Sequence, residues 1–269
     1  MATYKITLAY DGTDFVGWQR QASGVSIQGL LEAVLARVDQ RQVNVAGAGR
    51  TDGGVHALGQ VASFSLERAI GCDALVRALN ATLPESIRVV TAEVVPDTFH
   101  ARFGARRKTY RYRIWNAPVQ SPFERAFAWH VFDSLDRHAM TAAARLLEGR
   151  HDFAAFKAAS GTTRSTEREV FSSSITAGSG GPHERCREGP EARHPALICY
   201  DISGDGFLRH MVRNIAGTLV EIGRGRRPIA WMGEVLAGRD RTLAGPTAPP
   251  HGLVLVAVDY HDSLLAGER

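Results

Sequence analysis

The sequence predicts an α+β protein of two successive halves with the same order of elements. Two observations carry this. Over residues 4–95, stretches that alternate apolar and polar residues and stretches with a helical apolar stripe follow one another as strand, helix, strand, strand, helix, strand. After residues 101–106 the pattern starts afresh and repeats the same coarse order. The order βαββαβ is that of a ferredoxin-like unit. A chain of 269 residues is long enough for two such units with a buried core.

In the first half, YKITLAY (4–10) reads as a strand with Tyr4, Ile6, Leu8 and Tyr10 on one face. SIQGLLEAVLARVDQ (26–40) reads as a helix: Ser26 suits the N-cap, and Ile27, Leu30, Leu31, Val34, Leu35 and Val38 form its stripe. VNVAGAG (43–49) and QVASFSL (60–66) read as strands, CDALVRALNATLP (72–84) as a helix stopped by Pro84, and IRVVTAEVV (87–95) as a strand. In the second half, KTYRYRIWN (108–116) alternates, with Tyr110, Tyr112 and Ile114 on one face. DRHAMTAAARLLEG (136–149) reads as a helix closed by Gly149. REVFSSSITA (168–177) and ALICYDISG (196–204) read as strands. FLRHMVRNIAGTLVEIG (207–223) reads as an amphipathic helix with Phe207, Met211, Ile215 and Leu219 on one stripe, which places Arg209 and Arg213 on a common face. PIAWMGEVLAG (228–238) reads as a short helix opening at Pro228, and LVLVAVDY (253–260) as the last strand. The halves are expected to span 1–104 and 105–269, with a long hairpin loop at 178–195, rich in Gly, Pro and charge.

Composition narrows the class. Hydrophobic content of 44% and charged content of 22% are those of a globular protein. MATYKITLAYDG has no basic flank followed by a long apolar run, so neither signal peptide nor membrane anchor is expected, and a cytoplasmic protein is the default. Cys72, Cys186 and Cys199 form no CxxC pair, which argues against a disulfide framework and a structural zinc; Cys72 and Cys199 read as small core residues. The net charge is +4, and only Lys5, Lys108 and Lys157 of the 32 cationic side chains are lysines. Arginine grips phosphate bidentately and stacks on bases, although a GC-rich genome raises arginine whatever the function.

GAGRTDGGVHALGQ (47–60) is the stretch richest in chemistry. It is no dinucleotide loop, because the third glycine position holds Asp52, and no P-loop, because Gly-Lys-Ser/Thr is absent. Asp52 and His56 without a third ligand make a poor metal site. Thr-Asp-Gly-Gly is good turn chemistry. The competing reading is catalytic: a carboxylate beside an arginine stays ionised and can attack an electrophile or stabilise a cation. The second constellation, ARFGARRKTYRYR (101–113), carries Arg102, Arg106, Arg107, Lys108, Arg111 and Arg113 with no acid among them, interleaved with Tyr110 and Tyr112. Cations beside aromatics suit RNA, whose phosphates need neutralising and whose unstacked bases lie on aromatic rings. A non-catalytic RNA-binding module would account for these cations but leaves Asp52 without a task. A small-molecule α/β enzyme lacks its nucleotide fingerprint.

AYDGTDFVGWQRQ (9–21), GRTDGGVHALGQV, FHARFGARRKTYRYRIWN, DFAAFK, FLRHMVRNIAG and RTLAGPTAPPHGLVLVAVDY together resemble the tRNA pseudouridine synthase A family, in family order over nearly the whole chain. Gly53 stands where the family usually has alanine, and the 178–195 loop is longer than usual. The resemblance implies two ferredoxin-like halves sharing an extended antiparallel sheet, helices on one face and an active cleft between them. It implies a homodimer that isomerises uridine to pseudouridine at positions 38, 39 and 40 in the tRNA anticodon stem-loop, with no cofactor and no metal. Carried over by position, Asp52 is the nucleophile, Tyr110 stacks on the target base, Arg213 pairs with Asp52, Arg50 holds the flipped nucleotide or the RNA backbone, and Leu253 lines the base pocket. Arg102, Arg106, Arg107 and Lys108 are expected to meet phosphate.

Overall fold

The computed structural model describes residues 1–158, 165–178 and 196–261. The expected loop at 178–195 lies outside them except for Gly178, and so does Cys186. The fold is mixed α+β, with five α-helices among the described residues, and the chain forms two compact units. One comprises residues 1–108 with the chain from Val254; the other runs from Thr109 to Leu253.

In the first unit β1 (Ala2–Tyr10), α1 (Ile27–Asp39), β2 (Ala46–Gly47), β3 (His56–Leu66), α2 (Cys72–Thr82) and β4 (Ile87–Val95) follow the expected order. β1 lies between β3 and β4, antiparallel to both, and β2 is antiparallel to β3. Tyr4, Ile6 and Leu8 of β1 are buried with Ile27, Leu31 and Leu35 of α1 and Leu75 of α2, as the alternation and the stripe require. The Ser26 hydroxyl caps α1 by accepting from the Gly29 N–H at 3.2 Å. Of the expected strand 43–49, Ala46 and Gly47 form β2, and the Ala48 N–H adds a bond to the Val61 carbonyl of β3 at 2.8 Å. Cys72 is half-buried at the start of α2.

The second unit contains β5 (Arg107–Asn116, from Thr109), β6 (Trp129–Val131), α3 (Arg137–Arg145), β7 (Gly149–Asp152), β8 (Glu167–Ala177), β9 (Leu197–Gly204), α4 (Met211–Gly223) and α5 (Trp231–Gly238). Its strands run in the order β5-β9-β8-β7, with β6 parallel to β5. β10 (Leu253–Asp259) belongs, from Val254, to the first unit, where it runs parallel to β3.

Three helix boundaries differ from the sequence reading. α3 ends at Arg145, and Gly149, at φ +96°, opens β7 instead of closing the helix. α4 starts at Met211, because His210 before it takes a left-handed φ of 62°; Phe207 and Arg209 are therefore not on the helix, and no helical face joins Arg209 to Arg213. α5 begins at Trp231, after a turn closed by the Trp231 N–H on the Pro228 carbonyl at 3.1 Å. α4 is also not amphipathic in place: Asn214, Thr218 and Gly217 are buried along with its apolar stripe.

Candidate active site

In the first unit, the loop 48–55 between β2 and β3 presents Arg50 exposed and Asp52 half-buried. The motif at 9–21 forms its seat. Gly17 and Asp52 make an isolated antiparallel bridge, the Trp18 N–H donates to the Thr51 carbonyl at 3.0 Å, and the Gly54 N–H donates to the Phe15 carbonyl at 3.3 Å. Gly17 has φ +114°, and a Cβ there would stand 2.5 Å from the Thr51 oxygen, so no other residue lets the two segments meet. Side chains fix the loop from below. The Tyr10 hydroxyl bonds the Thr51 hydroxyl at 2.8 Å, and Gln60 Nε2 donates to the Gly49 carbonyl at 2.9 Å and to the Tyr10 oxygen at 3.3 Å. Burial pushes the Tyr10 hydroxyl up to about 12, against the opposing pull of its Thr51 and Gln60 bonds, so it stays a neutral node. Trp18 is buried with its indole on Gly47 and its ring 6.3 Å from that of Tyr10. A Cβ at Gly53 would stand 3.3 Å from the Val16 carbonyl oxygen, so alanine there requires that backbone to give by a few tenths of an ångström.

His56 is buried at the start of β3 and faces the first motif: its Nδ1 accepts from the Gly12 N–H at 3.0 Å and lies 3.1 Å from Asp11 Oδ1. Burial raises the Asp11 carboxyl, but the two Thr13 bonds and the nearby His56 outweigh it and leave it below its ordinary value. Among the described residues no three His, Cys, Asp or Glu side chains gather as a metal site would require. Of the cations, Arg102, Arg106 and Arg107 are exposed and Lys108 is half-buried, and the Arg106 N–H is tied to the Asp259 carbonyl at 2.9 Å.

The second unit holds Tyr110, Arg213 and Leu253. Tyr110 is buried on β5, its ring edge-on to Phe207 at 5.1 Å. Tyr112, two residues on, is fully buried, donates to the Pro249 carbonyl at 2.8 Å, and has its hydroxyl pushed far up by burial. Leu253 is buried. Arg213, half-buried on α4, donates from Nε to the Ala248 carbonyl at 2.8 Å, and its own carbonyl accepts from the Ala248 N–H at 3.1 Å. A polar network built on the buried side chains of Asn214 and Thr218 holds that segment. Arg241 donates to Asn214 Oδ1 at 3.2 Å and to the Thr247 hydroxyl at 3.0 Å, Thr247 donates to Asn214 Oδ1 at 2.6 Å, and the Gly245 N–H donates to the Thr218 hydroxyl at 3.0 Å. RTLAGPTAPP therefore serves as a strap that fixes Arg213. Arg111 and Arg113, which belong to the same acid-free run of cations in the sequence, are paired in space: Arg111 with both oxygens of Asp201 at 2.7 and 3.0 Å, Arg113 with Glu124 at 2.8 Å.

A family model described as tRNA pseudouridine synthase matches residues 6–104 and 143–261. The chain belongs to the tRNA pseudouridine synthase family. As pseudouridine synthases are isomerases, it is an isomerase. A tRNA pseudouridine synthase A of Myxococcus xanthus is 47% identical over 262 residues, spanning 97% of this chain and 93% of the relative. One of Syntrophotalea carbinolica is 45% identical over 260 residues and 97% of each chain, and one of Moorella thermoacetica 45% identical over 263 residues, 97% of this chain and all of the relative. Arg50, Asp52, Arg102, Arg213 and Leu253 fall inside the family match; Arg106, Arg107, Lys108 and Tyr110 fall between its two stretches, where the full-length relatives alone carry the likeness. The sequence reading gives Tyr10, Trp18 and Gln60 no place in the site and weighs His56 only as a metal ligand. The signal for them was there: all four lie inside the two quoted motifs.

Proposed function

We propose that this protein converts uridine to pseudouridine at positions 38, 39 and 40 of the tRNA anticodon stem-loop, without cofactor or metal, as a cytoplasmic homodimer of two ferredoxin-like halves divided near residues 101–106. The β4-β1-β3 order with β2 on β3 supports the ferredoxin-like reading of the first half. One observation carries the functional reading: Asp52 stands on a loop fixed by Tyr10, Gln60 and Gly17 in a chain of this family. A plain turn needs no such seat.

The reaction breaks the bond between N1 and C1′, turns the uracil, joins C5 to C1′, releases the C5 proton and leaves N1 to take up a proton in its place. Asp52 is the nucleophile of this scheme, and its attack on C1′, its attack on C6 and removal of a sugar proton all fit an ionised carboxylate. Tyr110 stacks on the uracil once the base has left its helix. Arg213, held by the 241–250 strap, and Arg50 position charge around the nucleotide, Leu253 lines the base pocket, and Arg102, Arg106, Arg107 and Lys108 meet phosphate. The test uses tRNA tritiated at uracil C5. Release of label from transcripts whose only labelled uridines are at 38, 39 or 40 is expected. Binding without release would mean an RNA-binding module, and release from uridines elsewhere would move the substrate position.

A further inference from the structure

Residues 99–104 form a turn to which the reaction scheme gives no task beyond one arginine. Phe99 packs on Tyr260, ring centroids 5.1 Å apart. Ala101 is fully buried; its N–H donates to the Ser63 hydroxyl at 3.0 Å and its carbonyl accepts from the Tyr260 hydroxyl at 2.7 Å. His100 closes the turn: Nδ1 accepts from the Arg102 N–H at 3.1 Å and the Phe103 N–H at 3.4 Å, and the Gly104 N–H returns to the His100 carbonyl at 2.9 Å. On this anchored turn Phe103 is 77% exposed. Its ring lies 4.4 Å from that of His100, and the Arg102 guanidinium carbon lies 5.7 Å from its centroid.

A single exposed apolar side chain needs no explanation. This one differs in three respects. It is gathered with an imidazole and a guanidinium, both of which also stack on bases. The turn beneath it is fixed at Ala101, so its placement costs little further ordering on binding. The stretch 99–113 contains no acid and exposes Arg102, Arg106 and Arg107, which suits a polyanion, although the exposed Asp259 adjoins it through the Arg106 N–H.

We propose that Phe103, flanked by His100 and Arg102, is a second stacking platform that receives an unpaired nucleobase of the bound RNA other than the reacting uridine. The proposal rests on the tRNA reading above and names a further contact to that substrate. Its role is to hold the RNA, so it acts on affinity and not on the chemical step.

The experiment compares wild type with Phe103→Ala, Phe103→Leu and Phe103→Trp, using an unmodified tRNA transcript for binding and C5-tritiated transcript for single turnover at saturating enzyme. The ring is exposed, so all variants are expected to melt with wild type. Ala and Leu should weaken binding by about 5- to 150-fold, the range for loss of one stacked base, with the saturated rate within twofold and the salt slope unchanged. Trp should bind like wild type. Wild-type binding by the Ala variant overturns the proposal, and so does wild-type binding by Leu, which would mean apolar contact without stacking. A loss that follows a change in sedimentation also overturns it, since Phe103 would then join copies of the chain. If wild type releases no tritium yet its binding depends on the ring at 103, the catalytic reading fails and the platform stands.

Discussion

The hydroxyl of Tyr10 offers a measure of how far the seat beneath Asp52 matters. In Tyr10→Phe the ring keeps its shape and its packing, and one oxygen leaves a buried site. Thr51 loses its 2.8 Å partner; Gln60 loses a 3.3 Å bond but keeps the 2.9 Å bond to Gly49. The cost is therefore close to that of stranding one buried polar group, about 1–3 kcal/mol. For a chain of this size that lowers Tm by roughly 2–12 °C. Thr51 and Gly49 flank Arg50, and Thr51 carries Asp52, so the loosened loop should lower kcat by about tenfold, the rate equivalent of ~1.4 kcal/mol, with KM for tRNA little changed. Tyr4→Phe is the control. Its hydroxyl bonds the Ile70 carbonyl and N–H at 2.9 and 3.0 Å, so it should lower Tm without touching kcat. Calorimetry and multiple-turnover tritium release read the two quantities. An unchanged kcat in Tyr10→Phe despite the expected fall in Tm would refute the seat, and equal kcat losses in both variants would reduce it to general destabilisation.

Other expected outcomes concern the proposed site and the fold. Asp52→Asn should bind tRNA nearly as wild type and lose turnover by several orders of magnitude; single-turnover activity within tenfold of wild type would end its role as nucleophile. Affinity for tRNA should fall steeply with salt, with a log–log slope of roughly −3 to −4 if Arg102, Arg106, Arg107 and Lys108 each release a counterion, and a flat salt titration would contradict them as phosphate contacts. Tyr110→Phe should bind and flip uridine but fail to complete the reaction if its hydroxyl takes the C5 proton, whereas Tyr110→Leu should fail earlier; near-normal product from either variant removes the corresponding role. The Asp39 carboxyl is held down to about 2, first by its Arg41 bond and then by the Arg68 N–H. A lowered folded value means its stabilisation is full above pH ~4 and is lost as pH falls through about 2, so melting curves of wild type and Asp39→Asn should converge at the acid end; a constant gap would contradict this.

What was legible in the sequence was local. β4 has the expected bounds, and α1 lies within a residue of them, because an alternating run, a Ser N-cap and a stripe are all read within one element. β6 was not seen because its three residues are too few to show a period. The burial of α4 was not seen because Asn214 and Thr218 read as polar; their partners, Arg241, Thr247 and Gly245, lie 27 to 33 residues away. The same limit hides the ion pair of Arg111. The run 101–113 contains no acid, yet Asp201 arrives from 90 residues on.

The candidate site follows the same logic with a different outcome. GRTDGG advertises a turn with a carboxylate, and taken alone it favours the turn while leaving the nucleophile open. The structure joins this stretch to the 9–21 motif in an object that neither segment contains by itself. Thr51 is bonded by Tyr10 from 41 positions away, and the Gly17 backbone runs so close to the Thr51 carbonyl that a Cβ would collide with it. AYDGTDFVGWQ and GRTDGGVH are therefore two halves of one structure, and the glycine in the first is as much a requirement for displaying Asp52 as the glycines beside it. A chain carrying only the second motif would have the turn without the seat.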